Sequence, residues 1–195
     1  GITFGMGGVD GAIDHADFGK TPIYTTIGGI RPIGICGSGI IDIVAELLRY
    51  KLIDTTGMLS KPNGKQNFMV DEESNIYITQ RDIRQVQLAK AAIYAGIRVL
   101  AEHMQIDLDK IERVYLAGGF GNYINIKSAA MIGLIPHELI DRVKPIGNGA
   151  GTGAAMCLLS DDMMTKTGFI KERIQYIELS NSAAFSEEFI NSMYF

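Results

Sequence analysis

Cysteine is nearly absent. Cys36 and Cys157 are the 2 cysteines in 195 residues, far apart and outside any CxxC spacing, so neither a disulfide framework nor a cysteine-built metal site is indicated. An excess of one charge is missing too. The 18 basic residues are scattered among 22 acidic ones for a net charge of −4, which leaves no electrostatic footprint for nucleic acid or a membrane surface. No apolar run approaches the ~20 residues that a bilayer span requires, and no basic-then-apolar signal opens the chain. A cytoplasmic location is therefore expected. His15, His103 and His137 sit in unlike contexts with no ligand spacing, so surface or internally satisfied histidines are expected, not a metal centre. The chain also lacks an initiator methionine, opening GITFGMGG, which reads as a piece cut from within a domain.

What is present is a hydrophobic content of 47%, in a chain long enough to bury roughly 70% of its unfolded surface. Residues 2–6, 11–18 and 23–28 read as short strands of a meander separated by Gly7-Gly8 and Thr21-Pro22. A Gly-Ser-Gly turn then introduces a helix over 38–50 with an apolar stripe at Ile40, Ile41, Val44, Leu47 and Leu48. Residues 51–75, with Thr56-Gly57 and Pro62-Asn63-Gly64, read as a surface excursion carrying a small hairpin or loop. After a strand at 76–78, Thr79 with Asp82 caps a long helix running to about Met104. A strand at 113–117, helices near 127–133, 150–160 and 161–172, and a strand at 174–179 complete the pattern. Such alternation argues for an α/β sheet covered by helices.

Two glycine clusters carry the chemistry. In VYLAGGFGNYIN, the apolar run Val114–Ala117 leads straight into Gly118, Gly119 and Gly121, at the carboxyl end of a strand, where open α/β sheets bind ligands. Glycine there admits positive φ and lets backbone approach a phosphate or sugar. The plainer alternative is a tight turn with no ligand. In GNGAGTGAAM, Gly147, Gly149, Gly151 and Gly153 precede Ala154, Ala155 and Met156, giving a helix start with a small face that suits packing. Neither run is GxGxxG or GxxxxGK[ST], so the dinucleotide and P-loop fingerprints are excluded. On the long helix, Ile83, Val86, Lys90, Ile93, Ile97, Leu100 and Met104 share one stripe. Lys90 either snorkels from its edge or meets an anion or polar ligand. Gln87 points to the same side, and together they could hold a ribose or phosphate.

At these residues the sequence resembles a family. VYLAGGFG is similar to the adenosine motif, and GNGAGTGAAM to the second connecting helix, of the acetate and sugar kinase, heat-shock chaperone and actin (ASKHA) superfamily. More closely, ICGSGIIDIVAELL, ITQRDIRQVQLAKAAIYAGI, VYLAGGFGNYI and GNGAGTGAAM stand in the order found in the reductive activators of corrinoid proteins, a resemblance that covers nearly the whole chain. It implies an actin-like, ribonuclease H-like lobe with a mixed sheet flanked by helices and a small inserted subdomain. Residues 1–195 would be the C-terminal part of the ATP-binding domain, with the first lobe, both phosphate hairpins and an N-terminal plant-type [2Fe–2S] domain lying upstream. ATP with Mg2+ is the implied cofactor, and a corrinoid protein, reduced from cobalt(II) to cobalt(I) for methyl transfer such as O-demethylation, the implied partner. Gly118, Gly119 and Phe120, with Gly121, would line the adenosine side, and Gln87 and Lys90 match an acidic-x-x-Lys pair with glutamine replacing the acid. Gly149 and Gly151 would serve lobe packing and hinge motion. Cys36, Gly37 and Ser38 read as a strand-to-helix turn able to face a partner. No catalytic residue is assigned. An ATP-driven conformational switch is expected, with a sugar or acid kinase and an actin-like filament protein as the alternatives; a homodimer is left open.

Overall fold

The computed structural model describes residues 1–60 and 67–195. Strand β1 (Ala12–Ala16), whose Ala12 and Ile13 are fully buried, is the middle of a three-stranded sheet between β2 (Tyr24–Thr26) and β3 (Gly34–Ile35). β2 runs antiparallel to β1, but β3 runs parallel to it, Ala12 opposite Gly34. The expected meander is thus a mixed sheet. Residues 2–6, expected as a strand, contribute a single bridge from Gly5 to Ile35. The Thr3 amide is drawn instead to Asp82 Oδ1 at 2.7 Å, which takes it out of the ladder.

Helix α1 (Gly37–Arg49) lies so close to β1 that a Cβ on Gly39 would overlap the Ile13 carbonyl oxygen. Its burial exceeds the expected stripe. Every residue from Ser38 to Leu47 is buried, because β1 covers one side and α4 (Ile126–Met131) packs on another. Two carboxylates go inside with them. Glu46 accepts the Phe18 amide at 3.0 Å and pairs with Arg49 at 2.7 Å, and Asp42 Oδ2 faces His15 Nδ1 at 2.9 Å.

Residues 51–75 are less superficial than expected, since Ile53 and Leu59 join the core. The expected turn at Pro62-Asn63-Gly64 lies outside the described residues. The hairpin itself is β4 (Asn67–Asp71) paired antiparallel with β5 (Ile76–Thr79). Asp71 Oδ2 accepts the Ser74 amide at 2.6 Å in its turn.

Helix α2 (Gln80–His103) begins as its sequence predicts, with a capping box: Thr79 Oγ1 accepts the Asp82 amide at 3.2 Å and Asp82 Oδ2 accepts the Thr79 amide at 2.9 Å. Burial pushes the Asp82 carboxyl up, but the hydrogen bonds from Thr79 and Thr3 outweigh it and hold the group below its ordinary value. The predicted stripe holds only at its start. Ile83, Val86 and Lys90 are buried, whereas Ile93, Leu100 and Met104 are 46%, 39% and 64% exposed. Farther along, burial shifts to Ala91, Ala95, Gly96 and Val99. There α7 (Ala183–Asn191), which the sequence pattern did not reveal, packs along α2.

The last sheet is small. Strand β6 (Val114–Ala117) leads into α3 (Gly118–Tyr123), and β7 (Val143–Gly147) leads into α5 (Gly149–Leu159), which α6 (Asp161–Arg173) follows. Pro145 hid β7 in the sequence, since proline removes a ladder donor and is confined to edge strands; Lys144, Pro145 and Ile146 are exposed accordingly. Residues 174–179, expected as a strand, form none. Ile174 and Tyr176 are largely exposed, and no strand pairs with them among the described residues. The α/β class holds, with the sheet in three small pieces flanked by helices. Their shared core joins Ile13, Ile43, Leu47, Ile78, Ile83 and Ile132. Among the described residues no helix is long and apolar enough to cross a membrane.

Candidate functional site: two glycine turns on neighbouring strands

Strands β6 and β7 are parallel neighbours, Val114 opposite Val143 and Ala117 opposite Gly147. Their carboxyl ends therefore lie side by side. The two glycine clusters, far apart in the chain, become adjacent turns, each opening a helix. Gly118 and Gly147 take φ of 89° and 63°, a region that side chains rarely enter.

The glycines divide by what surrounds them. Among the described residues, a Cβ on Gly118 or Gly119 would meet nothing within 4 Å, so these two present bare backbone to open space. A Cβ on Gly121 would come within 3.0 Å of Leu116 Cβ, which assigns it to packing of α3 on β6. Gly149 lets the turns touch, its Cβ position lying 3.3 Å from Ile146 Cδ1 and 3.5 Å from Ala117 Cβ. Gly151 lies against its own helix cap: Asn148 Oδ1 accepts the Gly151 amide at 2.9 Å, and a Cβ there would sit 2.5 Å from Asn148 Nδ2.

Phe120 is 49% exposed, and its ring lies across Gly37, with Cδ2 2.7 Å from where a Cβ would be. The start of α1 thereby joins the glycine turns, a contact that sequence spacing could not reveal. Gly37 also borders a cavity of 540 Å³ lined by Met6, Cys36, Gln85 and Ala89. Cys36, Gly37 and Ser38 form the strand-to-helix turn between β3 and α1, but Cys36 and Ser38 are both buried, with Sγ and Oγ 3.3 Å apart.

Gln87 and Lys90 are placed elsewhere. Both are buried, at 2% and 3% exposure, so the lysine does not snorkel. Gln87 Nε2 donates to the carbonyls of Thr56 at 3.1 Å and Met193 at 2.9 Å, and Arg84 donates to its Oε1 at 2.6 Å. Lys90 Nζ donates to the Tyr194 carbonyl and lies 5.5 Å from the centre of the Phe195 ring. Burial lowers its amine from 10.5 to about 8. Among the described residues, no hydrogen bond links either side chain to the glycine turns, and no group of three His, Cys, Asp or Glu could hold a metal ion.

A strand–glycine–helix unit repeated on parallel strands is the frame of an α/β ligand-binding domain, and the comparisons with known proteins refine that class. A solved structure described as a reductive activator for a corrinoid, iron–sulfur protein superimposes with a TM-score of 0.87 at 36% identity, covering 100% of this chain and 34% of that one. The corrinoid activation enzyme RamQ of Eubacterium limosum is 39% identical over 100% of this chain and 37% of its own length. A Methanosarcina barkeri protein named as the reductase of the cobalt(II) methylated amine-specific corrinoid protein is 31% identical over 55% of this chain and 19% of its own length. The family described as the C-terminal domain of RACo, the ASKHA domain, matches residues 1–195, and the chain belongs to it. It spans 37% of the RamQ sequence.

Proposed function

We propose that this chain is the C-terminal part of an ATP-binding domain in a reductive activator, which returns a cobalt(II) corrinoid protein to cobalt(I) and so sustains methyl transfer. One observation carries the nucleotide part: parallel pairing of β6 with β7 sets the bare backbone of Gly118 and Gly119 beside the Gly147–Gly149 turn. That open, side-chain-free rim suits the close approach of an adenosine, with Phe120 offering an apolar edge. Mg2+ would arrive with the phosphates, since the described residues supply no metal cluster of their own. A plant-type [2Fe–2S] cluster takes four cysteine ligands. Buried Cys36 and half-buried Cys157 do not meet that requirement, so the cluster belongs to another part of a longer polypeptide. The client is inferred from the relatives, which are named for acting on corrinoid proteins.

ATP would act through domain closure, holding one arrangement of two lobes more tightly than the other. If the client favours the same arrangement, ATP and client must raise each other's affinity by one common factor, about 5- to 150-fold. Titrating ATP into the full-length protein with and without a cobalt(II) corrinoid protein checks this. A tighter ATP constant with the client present is the expected result. Equal constants, with no co-elution in any nucleotide state, would reopen the kinase and filament alternatives.

A further inference from the structure

A cavity of 290 Å³ beside α2 and α7 carries opposite charges in its wall. Its most buried member is Lys90, 3% exposed, while Asn191 and Tyr194 open it to solvent. The Lys90 ammonium has three N–H donors. Among the described residues the Tyr194 carbonyl accepts one of them, the Phe195 ring lies 5.5 Å away, and no carboxylate comes within ion-pair distance. A cation so placed is short of a counter-charge, and burial alone accounts for the fall of its amine from 10.5 to about 8.

The other charged group in the wall is Glu188, half-buried in the last turn of α7. Ser192 Oγ donates to its Oε1 at 3.3 Å, and among the described residues no cation lies within ion-pair distance of it. The carbonyl end of α7 adds partial negative charge on the same side. Space beside the amine is also kept clear. A Cβ on Gly133 would stand 3.2 Å from Lys90 Nζ; glycine closes α4 there at φ 72°, as helices commonly end, and the same missing side chain leaves the ammonium open to the cavity.

A plain anion would meet Lys90 but be repelled by Glu188, and a plain cation would meet the reverse. A ligand bearing both charges satisfies both walls. We propose that this cavity binds a small zwitterion of the α-amino acid class, its carboxylate on Lys90 Nζ and its ammonium on Glu188. The carboxylate takes up N–H donors that the Tyr194 carbonyl leaves over, in the charge-assisted form that is the stronger kind of hydrogen bond. The volume equals that of about ten waters at ~30 Å³ each, which is room for one such molecule. None of the cavity's lining residues belongs to the glycine turns, so the proposal stands apart from the nucleotide reading.

Calorimetric titration of the full-length protein at neutral pH, without nucleotide, tests it. The probes are the common amino acids one at a time, with acetate and methylammonium as controls that carry a single charge. At least one amino acid is expected to bind saturably at one site per chain, and neither control to bind. Glu188→Gln and Lys90→Met are each expected to weaken that binding about tenfold or more, the loss of one charge-assisted contact. Absence of saturable binding by every amino acid overturns the proposal, and so does acetate or methylammonium binding as tightly as the amino acid. Binding at the parent's affinity in either variant overturns it equally. Should Lys90→Met not fold, Glu188→Gln, at a half-exposed position, decides alone.

Discussion

Replacing Lys90 with methionine exchanges a buried charge for a neutral side chain of similar length. The parent carries a cost that the variant loses. With the amine lowered from 10.5 to about 8 by burial, and about 1.4 kcal/mol per tenfold change in proton affinity, keeping Lys90 charged in the fold costs on the order of 3 kcal/mol below pH 8. Against this the variant forfeits a charge-assisted hydrogen bond to Tyr194, worth about 1.5–3 kcal/mol. The two changes nearly cancel near neutral pH, so Lys90→Met is expected to match the parent to within about 1 kcal/mol.

The pH dependence is more telling. Below about pH 8 folded and unfolded Lys90 are both protonated and the full cost applies; between about 8 and 10.5 only the unfolded chain holds the proton, so stability rises with pH; above that range nothing further is gained. From pH 7.5 to 10 the parent is therefore expected to gain about 2 kcal/mol over Lys90→Met in urea unfolding. Other titrating groups are common to both proteins, and the difference removes them. Parallel stability curves for the two proteins over that range would refute a buried, costly amine at this position.

Four other substitutions separate the roles of backbone and side chain. Gly119→Val adds a side chain in open space, so calorimetry is expected to show weakened ATP binding with stability changed by less than about 1 kcal/mol. Gly151→Val strikes the Asn148 cap instead and should lower stability by about 1 kcal/mol or more in the same unfolding assay. Gly39→Ala drives a methyl into the Ile13 carbonyl; a loss of about 1–3 kcal/mol is expected, and a melting temperature equal to the parent's would contradict the α1–β1 packing. Asp82→Ala removes the α2 capping box and the anchor for Thr3. It should cost about 1–2 kcal/mol near neutral pH. Because the Asp82 carboxyl is held below its ordinary value, the difference from the parent should shrink as acid protonates the group.

How much of this the sequence revealed depended on how local the determinants were. The capping box of α2 lies within four residues and was legible as written. The glycine turns were legible as turns, but only the Ala117–Gly147 pairing made them one site, and β7 was hidden by Pro145. Periodicity extended the α2 stripe to Met104, because the covering helix α7 comes 80 residues after α2 in the chain and its arrival moved the buried face onto alanine and glycine. Lys90 looked anomalous for a sound reason, an amine among apolar residues. Its partner could not be read, since the main-chain carbonyl of Tyr194 carries no side-chain signature. His15 and Asp42, 27 positions apart, likewise left no pattern; among the described residues the second Asp42 oxygen is buried without a partner.

The most direct test of the central claim follows the cobalt itself. A cobalt(II) corrinoid protein, the full-length activator and a low-potential electron donor are mixed without oxygen, and the visible spectrum is recorded with and without Mg-ATP, for the parent and for Gly119→Val. Cobalt(I) formation is expected to require ATP in the parent and to be slowed in the variant in proportion to its lost ATP affinity. Cobalt(I) forming equally fast without ATP, or at the parent's rate in Gly119→Val, would contradict it.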